Sequence, residues 1–530
     1  MKKLPIGIQS IEKILKNNEY TYVDKTGFAK KLIDDGTPHY FMSRPRRFGK
    51  SLFLNTLEEI FKGNKKLFKG YQIYESNYKW EEYPVLHFDF AQIASNNAEE
   101  FRASLEAALE RMGKLYGTPV KGPSIQFQLK VLVEELSKKN PVVVLVDEYD
   151  SPIINNLKTP EIAEQNRDLL KAFFGTLKSL DRYLKFTFVT GISKFSQVSL
   201  FSGPNNLTDI TMDPKYAGMM GYTEEELKLS FNEHVETIVQ KRSQQAPLPQ
   251  KEEIFNEIRT WYNGYRFSER ELSVYNPYST LRFLSAGKAE SYWYSTGTPS
   301  FLIDQVKNHP RLIVPLSGIT ASKPQLMDIS SLEEIDLAAL MFQTGYLTIS
   351  GYESVTNRYR LDFPNQEVTE AFLETLINSF ANIDPTLSIE CQNTLENQNL
   401  NSFFEQIKGT LASFPYQLFV KARESTYQGM LLGILKGMGF EVYGEKLTNL
   451  GRIDLVIEMP QTIYIFELKV DSNSDCALNQ IVEKKYHEQF LHKGREVALV
   501  GVNFSSKTRN LSEWKSSLYN ASGEFLREIH

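Results

Sequence analysis

Two carboxylates and a lysine in the C-terminal part of the chain have the spacing of a metal-dependent hydrolase. Asp454 closes one short apolar run, and the next run ends in Glu467 and Lys469. A turn-like segment at 459–462 separates the runs, so a hairpin would place Asp454 almost opposite Glu467. Glu467 and Lys469 are two residues apart and share one strand face. Two carboxylates suit Mg²⁺, and a lysine can hold a phosphate or activate water, which is the minimum chemistry for cutting a phosphodiester bond.

The alternative is a solvated hairpin with an exposed Glu–Lys pair. Against it, residues 453–457 and 463–466 are apolar on both faces apart from Asp454 itself, a pattern typical of strands that are buried on both sides. Unpaired charge at the end of such strands is costly, so it needs a chemical reason. The pattern therefore favours a site.

Residues 400–510 resemble the PD-(D/E)xK nuclease superfamily, because the same strands are preceded and followed by helical segments. The resemblance implies that a glutamate on the first helix, Glu424, adds a metal or water contact, with Glu445 as a second candidate. It also implies that Gln480 and Lys484 on the following helix face the site, since residues i and i+4 share a helix face.

A second chemical motif lies near the N-terminus. A short strand at 39–43 runs into Arg-Pro-Arg-Arg-Phe-Gly-Lys-Ser at 44–51 and then into a helical segment, the context that a phosphate-binding loop requires. Lys50 would reach the outer phosphates and the Ser51 hydroxyl would bind Mg²⁺. Arg44 stands where the usual pattern has its first glycine. The candidate nucleotide-binding residues of this loop are Arg46, Arg47, Phe48, Gly49, Lys50, Ser51 and Leu52.

An acidic pair ends a fully apolar strand at 141–146. Asp147 would hold Mg²⁺ through water, and Glu148 would polarise the attacking water. The alternative is a helix N-cap at Asp147 or Asp150. The pair lies about a hundred residues after the phosphate-binding loop, as in AAA+ folds, so the two motifs support each other.

The variant loop at 44–51 resembles that of the bacterial AAA-ATPase-like family, whose proteins carry a nuclease-like domain at the C-terminus. The resemblance implies a sensor segment after a strand at 185–190, in which Ser193 and Lys194 read the γ-phosphate, with Thr190 as an alternative. An ordinary strand-to-loop turn is the other interpretation of this segment. The resemblance also implies that residues 6–8 line the adenine pocket, although they could equally be plain core.

The expected fold class is α/β in several domains. We predict an N-terminal AAA+/P-loop parallel sheet with helices, a helical middle that is lid-like and winged-helix-like, and a C-terminal α/β restriction-endonuclease-like domain. The predicted boundaries are 1–215 for the ATPase-like domain, 216–350 for the middle, 351–405 for a helical connector and 406–530 for the nuclease-like domain.

The middle region carries a capping box, Thr223 with Glu226, which predicts a helix start. Three aromatic segments there, at 260–267, 274–279 and 343–347, match signatures of the same family. Aromatic residues beside Asn-Gly and Asn-Pro turns favour a structural role over a catalytic one. Arg266 could reach a neighbouring nucleotide, but nothing in the sequence singles it out.

The composition is that of an ordinary globular protein. Of 530 residues, 41% are hydrophobic and 24% are charged, and the length predicts roughly three or four domains. The net charge of −5 excludes a global basic field, so any nucleic-acid contact must use local patches. Two cysteines, Cys391 and Cys476, exclude a disulfide framework and fit a cytoplasmic location. The sequence shows no signal-peptide core and no membrane-spanning run, so no membrane partner is expected.

These patterns predict a module that binds and hydrolyses ATP and regulates a Mg²⁺-dependent nuclease, with Mn²⁺ as an alternative ion. Nucleic acid is the expected partner, with DNA favoured over RNA, and analogy points to defence against phage or mobile DNA. A local basic patch would consist of Lys446, Arg452, Lys484, Lys485, Lys493 and Arg495. A homo-oligomer is left open. The alternatives are a nucleotide-dependent switch or scaffold that binds nucleic acid or protein without cutting, and a remodelling motor.

Overall fold

The chain divides into two compact units. A computed structural model describes residues 1–194, 207–242, 250–293, 319–327, 336–372, 385–414, 419, 424–448 and 451–530, with side chains except at 385, 425, 436–437, 445–448 and 451–452. The first unit is formed by described residues within 1–297 and 320–366, and the second by those within 298–319 and 367–530. In the described ranges, no helix has both the length and the apolar composition needed to cross a membrane.

The first unit contains a parallel sheet in the order β2-β3-β4-β1-β5, which confirms the predicted N-terminal α/β layer. Its strands are β1 (His39–Ser43), β2 (Val85–Asp89), β3 (Val142–Asp147), β4 (Leu184–Gly191) and β5 (Thr208–Asp209). Every residue of β1 and β3 is buried, as expected for strands covered on both faces. Because parallel strands end at one edge, the loop after β1 lies beside the ends of β3 and β4.

Helices accompany this sheet. They are α1 (Ile11–Leu15), α2 (Thr26–Asp34), α3 (Lys50–Phe61), α4 (Ala98–Leu115), α5 (Ile125–Ser137), α6 (Ser151–Ile154) and α7 (Pro160–Ser179), with 3₁₀ turns at Lys65–Phe68, Asp181–Tyr183 and Pro214–Tyr216. Gly49 precedes α3 with φ 92°, a left-handed conformation that favours glycine.

In the described residues, the rest of the first unit consists of helices and a three-stranded sheet. Its helices are α8 (Glu224–Arg242), α9 (Lys251–Tyr262), α10 (Pro277–Ala286), α11 (Lys323–Met327) and α12 (Leu337–Thr344), and its strands are β6 (Ile319–Ser322), β7 (Thr348–Glu353) and β8 (Arg358–Asp362), in the order β6-β8-β7. The capping box is confirmed, since the Glu226 N–H donates to Thr223 Oγ1 and the Thr223 N–H donates to Glu226 Oε2.

The predicted helical connector at 351–405 is wrong in its first part. Residues 348–362 form an antiparallel hairpin, because side chains alternate between exposed and buried along β8 and Asn357 turns the chain with φ 52°. The predicted boundary at 350/351 therefore falls inside β7. The boundary at 405/406 falls inside a helix of the second unit, Leu400–Ala412.

The second unit contains a six-stranded sheet in the described part of the chain. Its strands are β9 (Val442–Thr448), β10 (Gly451–Glu458), β11 (Thr462–Val470), β12 (Glu496–Ser505), β13 (Asn510–Tyr519) and β14 (Phe525–Arg527), in the order β14-β13-β12-β11-β10-β9. Its helices are α13 (Pro385–Glu396), α14 (Leu400–Ala412), α15 (Glu424–Gly437), α16 (Ser474–Glu483) and α17 (Glu488–Leu491).

One crossover in this sheet positions the candidate site. β10 and β11 form the predicted hairpin, whereas β11 and β12 run parallel and are joined through α16. The helix packs closely on β12 at Gly501, where a Cβ atom would lie 2.4 Å from the Ser474 carbonyl oxygen and 2.5 Å from the Leu478 nitrogen. Glycine at 501 therefore lets α16 approach the strand pair.

Candidate active sites

The phosphate-binding loop wraps around the side chain of Lys50, which is 4% exposed. Lys50 Nζ donates to the carbonyl oxygens of Arg44 at 2.9 Å and Pro45 at 3.0 Å. Burial lowers the pKa of Lys50, and the nearby carboxylates of Glu148 and Asp147 oppose that shift. The ammonium is thus held inside the loop by two of its carbonyl groups.

The acidic end of β3 lies beside this loop. Asp147 Oδ1 accepts a hydrogen bond from Thr190 Oγ1 at 2.7 Å and from the Glu148 N–H at 3.0 Å. Ser51 and Asp147 line one cavity of about 610 Å³, so the two predicted Mg²⁺ ligands face a shared space. Burial raises the pKa of Glu148, with Lys50 opposing, so this side chain is a stronger base than an exposed glutamate.

The predicted sensor residues make other contacts. Ser193 donates through its N–H and its hydroxyl to the fully buried Asp150, at 2.7 and 2.6 Å. Lys194 Nζ binds Asp209 at 2.8 Å. Thr190, the alternative from the sequence, is the residue of this segment that contacts Asp147. Asp150, considered only as a helix cap, ties the end of β3 to the segment after β4.

A small apolar cleft of about 70 Å³ lies on the other side of the loop. Phe48, Gly49 and Leu52 line it together with Pro5 and Tyr22. A cleft beside a phosphate-binding loop is the expected place for a nucleotide base, but residues 6–8 do not line it. Ile6 packs instead against the apolar cluster of α8 to α10, as the core interpretation predicted.

The second candidate site is formed by the hairpin of β10 and β11. The register pairs Leu455 with Phe466, which brings Asp454 opposite Glu467 as predicted. Asp454 Oδ2 accepts a hydrogen bond from the Leu468 N–H at 2.8 Å, so the carboxylate is fixed against the neighbouring strand. Asp454 and Glu467 are 6% and 2% exposed.

The two carboxylate oxygens of Glu467 differ in their hydrogen bonding. Its Oε1 accepts hydrogen bonds from the Gln480 side-chain amide and from Lys469 Nζ, the latter at 3.3 Å. Its Oε2 is buried and has no hydrogen-bond partner. Burial, reinforced by the negative charge of Asp454, raises the pKa of Glu467 to about 7. A buried carboxylate in this state gains from a bound cation.

Lys469 lies between two carboxylates. Its Nζ is 3.3 Å from Glu467 Oε1 and 3.6 Å from Glu424 Oε2. Although burial lowers the pKa of Lys469, these carboxylates outweigh it and raise the pKa above its ordinary value. The side chain is therefore a cation suited to phosphate or developing negative charge, and a poor general base.

The residues present fit a divalent metal ion. Two clustered carboxylates with one unpartnered buried oxygen are the hard ligands that Mg²⁺ prefers, with water and phosphate completing its shell. The described residues hold no cluster of three or more His, Cys, Asp or Glu side chains placed for a metal. Glu424 is turned toward Lys469, and the Glu445 side chain lies outside the described residues.

Comparisons with known proteins agree with the two predicted kinds of domain. Residues 5–201 match the family described as predicted AAA-ATPase, and residues 422–514 match the PD-(D/E)XK nuclease superfamily. A protein of Azotobacter chroococcum mcd 1, described as an uncharacterized protein in the vnfD 5′ region, is 36% identical over 526 residues, which cover 96% of this chain and 98% of that protein. The chain belongs to this AAA-ATPase-like family.

A solved structure is also similar to this AAA-ATPase-like protein. The Walker-type ATPase of Pyrococcus abyssi is 12% identical, with a TM-score of 0.36 over 70% of this chain and 98% of that chain. A likeness at that TM-score adds nothing to the assignment, which rests on the family matches and the full-length relative.

Sequence reasoning on this AAA-ATPase-like protein missed Gln428. The buried Gln428 amide donates to the Asp454 carbonyl oxygen at 2.9 Å and so holds the strand that carries the acid. Its position one helical turn after Glu424 was the available signal. Lys484, by contrast, lies just after α16, with its Nζ 5.9 Å from the Tyr486 ring centroid.

Three residues of the predicted basic patch pair with carboxylates. Lys493 and Arg495 both bind Glu458, and Lys485 lies 3.2 Å from Glu488. Paired surface charges attract a polyanion less strongly than unpaired ones, so Lys485, Lys493 and Arg495 are weaker candidates for nucleic-acid contacts than the sequence suggested. The side chains of Lys446 and Arg452 lie outside the described residues.

Proposed function

We propose that this protein binds and hydrolyses Mg²⁺-ATP in its first unit and thereby controls a metal-dependent nuclease in its second unit. The nuclease half of this proposal rests on Glu467, whose buried Oε2 has no hydrogen-bond partner. Asp454, Lys469 and Gln480 surround the same carboxylate. Nucleic acid is the substrate class, with DNA favoured over RNA. A nuclease under nucleotide control fits defence against phage or mobile DNA.

Each of the nuclease residues would have a separate role. Asp454 and Glu467 would hold Mg²⁺ or Mn²⁺, which when bound supplies Lewis-acid activation of phosphate and water. Lys469 would stabilise the negative charge that develops on the phosphate, because the two carboxylates keep it protonated. Gln480 would keep Glu467 in place by occupying Oε1, and Glu424 would orient Lys469.

The ATPase residues would act in a similar way on the phosphoanhydride bond of ATP. Lys50 would exchange the loop carbonyls for the outer phosphates, and Ser51 and Asp147 would hold the Mg²⁺ that accompanies ATP. Glu148 would orient the attacking water, helped by its raised pKa. Thr190 would read the γ-phosphate through its contact with Asp147.

A cleavage assay tests the proposal. Full-length protein is mixed with supercoiled plasmid, linear duplex, single-stranded DNA and tRNA, with Mg²⁺ or Mn²⁺, and with or without ATP or a non-hydrolysable analogue. Glu467→Gln is the test variant, and Glu483→Gln, an exposed glutamate at the end of α16, is the matched control. We expect metal-dependent cutting that only Glu467→Gln loses.

Equal cutting by Glu467→Gln would show that the activity comes from another site or a contaminant. If no substrate is cut while ATP is hydrolysed, the nuclease half of the proposal fails. That result would favour a nucleotide-dependent switch that binds its partner without cleaving it.

A further inference from the structure

The phosphate-binding loop is held along its whole variant part by residues more than two hundred positions later. Each residue from Arg44 to Phe48 contacts the segments that match family signatures or their neighbours. Four aromatic side chains make most of these contacts, and we refer to Tyr265, Phe267, Tyr278 and Trp293 as the aromatic collar.

Arg44, which replaces the usual first glycine, is 1% exposed. Its Nη1 donates to the carbonyl oxygens of Ser43 at 2.9 Å and Thr211 at 2.8 Å, and its guanidinium carbon lies 4.1 Å from the Phe267 ring centroid. Burial lowers the pKa of Arg44 to about 9, against the opposing charge of Asp209. Arg44 Nε and Nη2 are buried without a hydrogen-bond partner, so the two Nη1 bonds and the Phe267 ring face are the contacts that anchor the loop here.

Pro45 and Arg46 are held by close contacts of their own. Trp293, itself 1% exposed, donates its Nε1–H to the Arg46 carbonyl oxygen at 3.0 Å. Gly345 has φ 91°, and a Cβ atom there would lie 2.7 Å from Pro45 Cβ and Cγ. Glycine in the 343–347 signature is thus required by the approach of the loop.

Arg47 and Phe48 also contact aromatic side chains of the collar. The Arg47 guanidinium carbon lies 5.0 Å from the Tyr278 ring centroid, and the Phe48 ring meets Tyr265 edge-on at 4.7 Å. Arg47 has φ 66°, a left-handed conformation that is rare outside glycine. Such a backbone conformation costs free energy, which contacts elsewhere in the loop must offset.

We infer that the aromatic collar positions the phosphate-binding loop, so that nucleotide affinity depends on Trp293 and Tyr278. A phosphate is bound by backbone N–H groups, whose directions depend on the loop conformation. A loop without glycine at 44–48 obtains that conformation from packing, and a preorganised site binds more tightly than one that must be ordered. The inference rests on the proposed nucleotide binding. It assigns a role to three signature segments that otherwise have none.

The test measures binding of methylanthraniloyl-ATP with Mg²⁺ to the full-length protein. Trp293→Phe removes the donor to Arg46 and keeps an aromatic ring, and should raise Kd by about 2- to 10-fold, the usual worth of one hydrogen bond. Tyr278→Leu should also raise Kd, and Tyr278→Phe should restore it because the ring face remains. Trp80→Phe is the matched control, since the Trp80 ring packs on Phe68 and Tyr78 and belongs to no signature segment.

The outcomes separate the inference from the proposed function. Wild-type binding with unchanged Kd in both Trp293→Phe and Tyr278→Leu would overturn the inference and leave nucleotide binding intact. A lower melting temperature at unchanged Kd would assign the collar to folding alone and overturn the inference too. If the folded wild type binds no nucleotide, the proposed function fails and the inference with it.

Discussion

Asp454 Oδ2 accepts a hydrogen bond from the Leu468 N–H at 2.8 Å. This contact joins the acid on β10 to the peptide that lies between Glu467 and Lys469 on β11. The three side chains therefore keep one arrangement as long as the register of the hairpin is kept. Substitutions at Glu467 or Lys469 that preserve side-chain size should change the chemistry while leaving this scaffold in place.

Glu467 should make stability depend on pH near neutrality. Its pKa is raised to about 7, above the ordinary value of 4.5, so the folded state holds a proton that the unfolded state has lost. The associated stability is present below pH 4.5 and is lost as the pH rises through about 7. Without metal, the melting temperature should fall as the pH rises from 4.5 through about 7, and this fall should be smaller in Glu467→Gln.

Mg²⁺ should oppose that loss, because cation and proton compete for the same carboxylate. We expect Mg²⁺ to raise the melting temperature more above the Glu467 pKa than below it, and removal of the metal with a chelator to reverse the effect. A rise of equal size in Glu467→Gln would show that the ion binds elsewhere.

Lys469→Met should abolish cleavage without unfolding the protein. Methionine keeps the apolar stem, and Glu467 Oε1 keeps its bond from Gln480. Loss of the cation that faces the phosphate should lower the cleavage rate by about 100-fold or more, as for other groups that stabilise developing charge. The measurement is the initial rate on a fixed DNA substrate.

Lys484→Met is the matched control for that variant. Lys484 lies beside Tyr486 and outside the contacts of Glu467, so its cleavage rate should stay close to that of the wild type. A loss as large as in Lys469→Met would contradict the placement of the site.

Thr190→Val should slow ATP hydrolysis more than it weakens ATP binding. The substitution removes the hydroxyl that donates to Asp147 Oδ1 at 2.7 Å and leaves that buried oxygen with only the Glu148 N–H, at a cost of about 1.5–3 kcal/mol for a hydrogen bond to a charged group. Steady-state kinetics should show a lower kcat, and Thr190→Ser should recover it. Similar rates in Thr190→Val and the wild type would return the sensor role to Ser193 or Lys194.

Glu58 should contribute to acid stability. Although burial opposes it, hydrogen bonds from His87 and Lys62 lower the pKa of Glu58 to about 2, so its contribution is present above the ordinary value of 4.5 and is lost as the pH falls toward 2. The full contribution is at most about 3 kcal/mol. Chemical unfolding at decreasing pH should show a shallower loss in Glu58→Gln than in the wild type.

Glu99→Gln, which changes an exposed glutamate on α4, should keep the wild-type slope. Parallel slopes for all three proteins would mean that the pair with His87 does not contribute to stability.

The local parts of both sites could be predicted because they depend on neighbours in sequence. The hairpin of β10 and β11 follows from two apolar runs and a turn, and it alone brings Asp454 opposite Glu467. The phosphate-binding loop likewise follows from a strand, a glycine before Lys50 and a helix. No comparable local pattern predicts the hairpin at 348–362, whose short strands follow a helix closely.

The sequence by itself determined the residue types, their strands and the register of one hairpin. Only the tertiary structure decided that Gln480 and not Lys484 reaches Glu467, and that Thr190 and not Ser193 contacts Asp147. It also decided that Lys493 and Arg495 both pair with Glu458. The physical reason is the distance along the chain over which sequence patterns act. Periodicity and turns determine contacts only between residues that are a few positions apart. Which side chains meet across a crossover or between distant segments depends on how whole elements pack.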